Sequence, residues 1–394
     1  MKLFYFCSDF YPSGTGFAVS FVNFIQYVID ENKYEHIYIY CLNDDAVLPD
    51  CFLGKATLIK FDYRGELRLA KLTKSRVVLD LYANIKYKKL YKSLCSFDIA
   101  DEDSIFYEEF YFGNLKNYLS KKFKKNKHII RVHGTMPEFV MFDGNNYFRK
   151  ILFEQAIKTK LVIATTTTFY ISFLNKHLFE DKYSLIKNID YIILPNSIHN
   201  EFLQLPSKNQ TKNDRGSLKL LQLGRMDEGG YFQKGFSDTI KALLYLENSD
   251  ECNDGYVLTV IGSGVMSKDF LEQAKKLKKT KIEYFSSLPN SEVREKIINT
   301  DVVLLPSRCE GMSMFAVEAL SLGKAIITTK NSGVKDICLN DVNALLFDVY
   351  DYVAYAKLLS KIYNNRELIS KFESNCSTIY NENEIKLKSG IREL

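Results

Sequence analysis

From residue 218 to residue 328 the chain alternates between short runs of aliphatic and β-branched residues and longer amphipathic stretches. The pattern predicts strands at 218–223, 256–261, 281–285, 301–305 and 325–328, with helices at 234–247, 267–279, 290–299 and 313–322 between them. Strands separated by helices in this way pair in parallel, because each crossover helix carries the chain back to the same end of the sheet. The first half repeats the pattern less evenly. Strands are expected at 2–7, 36–41, 128–132, 161–164 and 190–194, and helices at 16–30, 147–159 and 168–179. The stretch 60–125 has no clean period, and no element is bounded there.

A chain of 394 residues exceeds what one core usually holds. The polar, turn-rich segment QLPSKNQTKNDRGS at 204–217 reads as an exposed connection opening into the strand LKLLQL. The expected architecture is therefore two doubly wound α/β domains facing each other. Their bounds are 1–195 and 196–375, with 376–394 a terminal segment that crosses back to the first. Ligands of such sheets sit beyond the carboxyl ends of the strands, so candidate site residues are sought in the loops there.

Composition narrows the class of ligand. A net charge of +5 over this length suits anionic small molecules better than nucleic acid. The eight cysteines are scattered without metal-type spacing, which reads as reduced and mostly buried thiols in the cytoplasm. Residues 1–10 read as a strand rather than a signal sequence, and no run of about 18 apolar residues suggests a membrane span.

Two strand-to-helix loops of the second half carry charge. After LKLLQLG comes RMDEGGYFQKG, with Arg225 and Lys234 in the loop and at the next helix start. A guanidinium and an ammonium there suit a diphosphate, and two ordinary surface cations are the plain alternative. After VVLLPS comes RCEGMSMFAVEALSLG, with Glu310 in the loop and Glu318 in the helix. Eight positions of helix span about 12 Å, enough for the carboxylates to meet two parts of one extended ligand. Carboxylates accept hydrogen bonds from vicinal hydroxyls, while the N–H groups of Gly311, Met312, Ser313 and Met314 at the helix start favour negative charge. A hydroxyl-rich group, a diphosphate and a second hydroxyl-rich group describe a nucleotide sugar. The plain alternative is a solvated Glu310 and an exposed Glu318, although the apolar neighbours of Glu318 make an unpartnered carboxylate costly.

These segments, LQLGRMDEGGYFQKGF and PSRCEGMSMFAVEALSLGKAIITT with the later NSGVKDIC and DVNALLF, together resemble the donor-binding signature of glycosyltransferase family 4 across residues 218–350. The family comprises retaining enzymes of the GT-B fold, two Rossmann-like domains across a cleft. The resemblance implies that Glu310 meets the donor hexose, Glu318 the ribose, and Arg225 with Lys234 the diphosphate. Two departures stand out. The Arg-to-Lys interval is lengthened by DEGGYF, and Ser313 and Met314 occupy positions where many members carry Gly and Leu.

In the first half, Gly14 and Gly16 in SDFYPSGTGF follow the first strand. They read either as a tight bend or, by the resemblance, as a loop near the donor phosphates or the acceptor. His133 ends the strand HIIRV. A strand-end histidine is commonly structural, but the resemblance implies contact with the donor sugar. Asn196 in LPNSI is expected to hold the domain junction. Asp101-Glu102-Asp103 reads as a solvated acidic loop, and no metal is predicted. The basic runs 86–92 and 121–128 are either solvated helix faces or an anionic-membrane contact.

The implied function is retaining transfer of a hexose or N-acetylhexosamine from a nucleoside-diphosphate sugar, UDP first, to an acceptor hydroxyl. Saccharide, lipid-linked saccharide or protein would be the acceptor, without a further cofactor. By analogy the setting is bacterial surface polysaccharide or glycoconjugate assembly, in the cytoplasm or at the inner face of the membrane. The rivals are a non-catalytic GT-B subunit that binds acceptor or a partner enzyme, and a nucleotide-sugar epimerase.

Overall fold

In-register aromatic residues build the first sheet. A computed structural model describes residues 1–61, 76–108, 112–133, 161–168, 189–200, 216–249, 255–330 and 333–394. The expected helices at 147–159 and 168–179 fall outside this range, apart from residue 168. The chain divides into two compact units, Met1–Asn196 with Lys386–Leu394, and Ser197–Ile385.

The first unit holds seven strands: β1 (Lys2–Cys7), β2 (His36–Cys41), β3 (Ala56–Lys60), β4 (Ser104–Glu108), β5 (Lys127–Val132), β6 (Leu161–Thr165) and β7 (Ile189–Ile193). They form one sheet in the order β3-β2-β1-β4-β5-β6-β7. Every pair is parallel. Phe6 lies opposite Tyr40 on one side and Tyr107 on the other, and the rings stack at 4.8 and 5.4 Å. Such cross-strand pairs fix register and supply much of the core of a chain that has no tryptophan. The described helices are α1 (Gly16–Asp30), α2 (Arg76–Cys95) and α3 (Gly113–Lys122), so the unparsed stretch 60–125 contains α2, β4 and α3.

The second unit holds β8 (Leu218–Leu223), β9 (Tyr256–Ile261), β10 (Lys281–Phe285), β11 (Val302–Leu305), β12 (Ala325–Thr329) and β13 (Ala344–Phe347). Their order, β10-β9-β8-β11-β12-β13, reverses direction between β8 and β11. Its helices are α4 (Glu228–Gln233), α5 (Phe236–Glu247), α6 (Ser267–Ala274), α7 (Asn290–Ile298), α8 (Met314–Ser321), α9 (Tyr352–Asn364) and α10 (Glu367–Glu393). The residues of α10 from Lys386 onward belong to the first unit.

The expected helix 234–247 is α5, which starts two residues later, and a short helix that the pattern did not mark, α4, precedes it. Gly235 adopts a left-handed backbone, φ 64°, that ends α4 and starts α5. A Cβ there would come within 2.1 Å of the Pro306 carbonyl oxygen, so only glycine lets the β8 crossover lie against the end of β11. The seven described cysteines are free thiols, four of them buried. Asp101 pairs with Lys125 at the surface, while Asp103 accepts the backbone N–H groups of Lys2 and Ala100 at 2.6 and 2.9 Å.

Candidate active site

The loops after β8 and β11 flank the switch point of the second sheet, where open α/β sheets leave a crevice. They are stitched together by backbone. The Arg308 N–H donates to the Gln233 carbonyl at 2.8 Å, the Gln233 amide to the Cys309 carbonyl at 3.1 Å, and the Gln222 amide to the Lys234 carbonyl at 3.0 Å. Lys234 thereby sits at the carboxyl end of α4 with its ammonium on the Glu310 carboxylate. Glu310 Oε1 also accepts the Ser307 hydroxyl at 2.9 Å, and the Glu310 carbonyl accepts the Gly333 N–H at 2.9 Å. Glu310 is thus a buried, clasped residue rather than a solvated one. The contact from Gly333 gives the NSGVKDIC segment a local role in holding the Glu310 loop.

Arg225 and Lys234 do not share a partner. The Arg225 guanidinium is exposed and lies 3.3 Å from Asp227, the residue whose carboxylate caps α4. At the start of α8, Ser313 makes no side-chain cap, and Gly311, Met312 and Ser313 are buried beside a half-buried Met314. The first helix amides from Ser313 to Ala316 make no hydrogen bond, which leaves a local positive potential at the helix mouth.

Glu318 lies along α8, half-buried, its carbonyl accepting the Ser321 hydroxyl at 2.8 Å and its carboxylate near the charge of Arg294. Burial pushes its carboxyl up to about 7, and the charge of Arg294 works against that shift. Arg294 is itself buried and its Nε has no partner. A carboxylate left in this condition gains from any hydroxyl that donates to it.

In the first unit the end of β1 opens into a loop organised by Asp9. Its carboxylate accepts Ser13 Oγ and Thr15 Oγ1 at 2.7 Å each, Asn43 Nδ2 at 2.8 Å and the Phe10 N–H at 3.0 Å. Burial works to raise the Asp9 pKa, but these bonds hold it below the usual value. Thr15 in turn caps α1, so Gly14 and Gly16 lie exposed on a braced turn at the sheet's carboxyl edge.

His133 is drawn into a buried ionic network. Its Nε2 meets the Glu108 carboxylate, which also takes the Tyr5 hydroxyl and, at 3.3 Å, the Arg131 guanidinium. Arg131 continues to the Leu194 carbonyl at 2.9 Å and to Asn196 Oδ1 at 3.1 Å, where Ser20 also donates. Asn196 therefore ties β5 and α1 to the end of the first unit. Burial opposes ionisation of Glu108, but His133 and Arg131 keep it below the ordinary carboxylate range. Burial, with Arg131, pulls the imidazole of His133 below its usual value, while the Glu108 carboxylate works to raise it. The rings of Phe17 and Phe21 meet its ring edge-on, with centroids 6.2 and 5.2 Å away.

Glu108, Arg131, Asp9 and Arg294 are absent from the sequence-based candidates. The available signal was a charge at or near the end of an apolar strand run, as in SIFYE and HIIRV, which a central strand tolerates only with a partner.

Comparison with known proteins adds similarities to this geometry. Residues 206–377 match the family described as glycosyl transferases group 1. The matched stretch lies wholly within the second unit. A glycogen synthase of Mycobacterium tuberculosis is 28% identical over 126 residues, covering 32% of this chain and 29% of the synthase. The chain thus matches less than a third of that relative's length. An uncharacterised glycosyltransferase of Methanocaldococcus jannaschii is 22% identical over 319 residues, 76% of this chain and 75% of its own.

Among solved structures, sucrose-phosphate synthase from Thermosynechococcus elongatus superposes with a TM-score of 0.73 at 13% identity, covering 99% of this chain and 97% of that one. A trehalose-6-phosphate structure from E. coli, bound with UDP-2-fluoro glucose, gives 0.69 at 14% identity, covering 100% and 97%. The fold is GT-B, two Rossmann-like α/β units with parallel sheets.

Proposed function

We propose that this chain is a retaining glycosyltransferase that moves a hexose or N-acetylhexosamine from a UDP sugar to an acceptor hydroxyl. The observation that carries the proposal is the clasped Lys234–Glu310 pair, set eight positions from the raised carboxyl of Glu318 across an uncapped helix mouth. Glu318 would accept the ribose hydroxyls, the helix amides with Lys234 and Arg225 would meet the diphosphate, and Glu310 would accept from the hexose. The bond between the anomeric carbon and the phosphate oxygen breaks with its electron pair on the phosphate. The acceptor oxygen bonds the same carbon on the same face, and its proton passes to the departing phosphate oxygen. Lys234 stabilises the charge that develops on that oxygen, and no metal enters the proposal.

A panel of UDP, GDP and ADP sugars tests it. UDP sugars should raise the melting temperature most, and UDP should appear only when an acceptor is present, with the anomeric configuration kept in the product. An epimerised sugar formed without acceptor would favour the epimerase instead, and binding without turnover would favour a non-catalytic subunit.

A bacterial surface glycan, with a saccharide, lipid-linked or protein acceptor, is the setting we assign, and one surface supports work beside a membrane. Helices α2 and α3 pack through Tyr87 with Tyr118 and Tyr91 with Phe123, each pair at 5.4 Å. This brings the basic runs side by side, with Lys88, Lys89, Lys92, Lys121, Lys122 and Lys124 exposed. Basic residues near an anionic bilayer contribute about 1 kcal/mol each. No described helix is long and apolar enough to cross a membrane. Flotation with phosphatidylglycerol vesicles should recover the protein, and Lys88→Gln with Lys122→Gln should weaken binding at least fivefold. Equal recovery with uncharged phosphatidylcholine vesicles would remove this placement.

A further inference from the structure

The four exposed aromatic side chains among the described residues of the second unit are Phe232, Tyr245, Tyr350 and Tyr352. Two devices connect them. Arg308 is sandwiched between the rings of Phe232 and Tyr350, 4.2 and 4.7 Å from their centres, and is locked by Asp238 at 2.9 and 3.1 Å. Lys241 lies over the ring of Tyr352 at 5.9 Å.

Helix α5 sets the direction of the surface. Asp238, Lys241, Tyr245 and its cap Asn248 follow a spacing of three, four and three residues, one stripe of a helix about 15 Å long. At the far end of the stripe a groove of about 640 Å³ is lined by Lys241, Leu244, Tyr245, Asn248, Ser249 and Tyr352. Tyr350 holds its exposed ring on a backbone with φ 70°, a conformation that bulky residues rarely adopt and that clusters at functional positions.

We propose that this face is a saccharide-binding surface, separate from the donor site and continuous with its loops. A pyranose ring offers a flat C–H face to an aromatic ring and hydroxyls around its edge. The surface offers both complements. The rings of Tyr245 and Tyr352 border the groove, and their hydroxyls make no hydrogen bond. The Asn248 amide nitrogen donates to the Leu244 carbonyl at 2.8 Å, so its side-chain oxygen is available to accept. Lys241 adds a donor. The rings are interleaved with these polar groups rather than fused into one apolar patch, which suits a sugar chain better than the core of a protein interface. Phe232 and Arg308 each precede a residue of the Lys234–Glu310 pair by two positions. The occupant is the acceptor or product chain, an assignment that rests on the glycosyl-transfer reading.

Saturation-transfer NMR of the full chain with maltohexaose, cellohexaose and chitohexaose tests the surface, with UDP binding followed by thermal shift in the same samples. At least one hexasaccharide should bind. Tyr245→Ala with Tyr352→Ala should weaken it at least tenfold, Tyr245→Phe should keep affinity within threefold, and UDP binding should be unchanged in all. A protein that holds UDP but none of the hexasaccharides, or an alanine pair that binds them as wild type does, overturns the surface alone. Hexasaccharide binding without UDP binding overturns the donor reading alone. If the alanine pair abolishes a dimer and no hexasaccharide binds, the face is an interface between copies and the proposal fails.

Discussion

Replacing Glu310 with alanine is expected to lower turnover by about 10² to 10³, while UDP affinity changes less than threefold or tightens. The carboxylate is held by Ser307 Oγ and the Lys234 ammonium, and the backbone carbonyl of Glu310 by the Gly333 N–H. A group held in place before the reaction stabilises developing charge without reorganising, and losing one such contact costs about that factor. The UDP portion makes no use of Glu310 in this account. Its removal releases Lys234 toward the diphosphate, so nucleotide binding should not suffer. Steady-state turnover and titration calorimetry with UDP separate the two effects. A parallel fall in both, with the melting temperature preserved, would place Glu310 on the nucleotide instead of the sugar.

Glu318 should show itself through pH. Its carboxyl is pushed up to about 7 by burial, against a value of 4.5 outside the fold. A raised carboxyl pKa means the folded chain holds a proton that the unfolded chain has released. The associated stability is complete below about 4.5 and is lost as pH rises through about 7. Glu318→Gln should therefore stabilise the ligand-free protein at pH 8, by about 2 kcal/mol.

Binding has the opposite slope, because the ionised carboxylate is the form that accepts ribose hydroxyls. The ionised fraction rises from ~0.1 to ~0.9 between about pH 6 and pH 8, so wild-type affinity for UDP should gain roughly tenfold. At pH 8 the glutamine variant should bind roughly 10 to 100 times more weakly, as expected for loss of hydrogen bonds to a charged group. The difference between the two proteins removes the titration of the nucleotide's own phosphate. Identical pH slopes would take Glu318 out of the nucleotide site.

Much of the second unit was legible because its elements are locally consistent. The strands at 218–223, 256–261 and 281–285 have the expected bounds, since each is a short run rich in apolar residues between polar or turn-forming segments. The short helix α4 was not legible. DEGGYFQKG reads as a loop, and the left-handed Gly235 that separates α4 from α5 is required only by the approach of Pro306, which follows β11. The stretch 60–125 was opaque for a related reason. The apolar residues of α2 and α3 meet one another and β4 in a shared core, so neither helix shows its period alone.

At the site, sequence singled out the carboxylates and cations but not their pairing. Lys234 reads as half of a cationic pair with Arg225, yet the contacts between the two loops deliver it to Glu310 and leave Arg225 with Asp227. His133 was visible as a strand-end histidine. Its partner Glu108 comes from β4, and β5 supplies Arg131 directly opposite it in the sheet. Parallel register made that cluster, and register is not written in either segment alone.

The most direct test is a crystal structure of the protein with UDP and a 2-fluoro UDP hexose. The account predicts the ribose on Glu318, the diphosphate over the start of α8 with Lys234 turned to it, and the hexose on Glu310. A nucleotide bound elsewhere, with the Lys234–Glu310 contact intact and no ribose hydroxyl on Glu318, would contradict it.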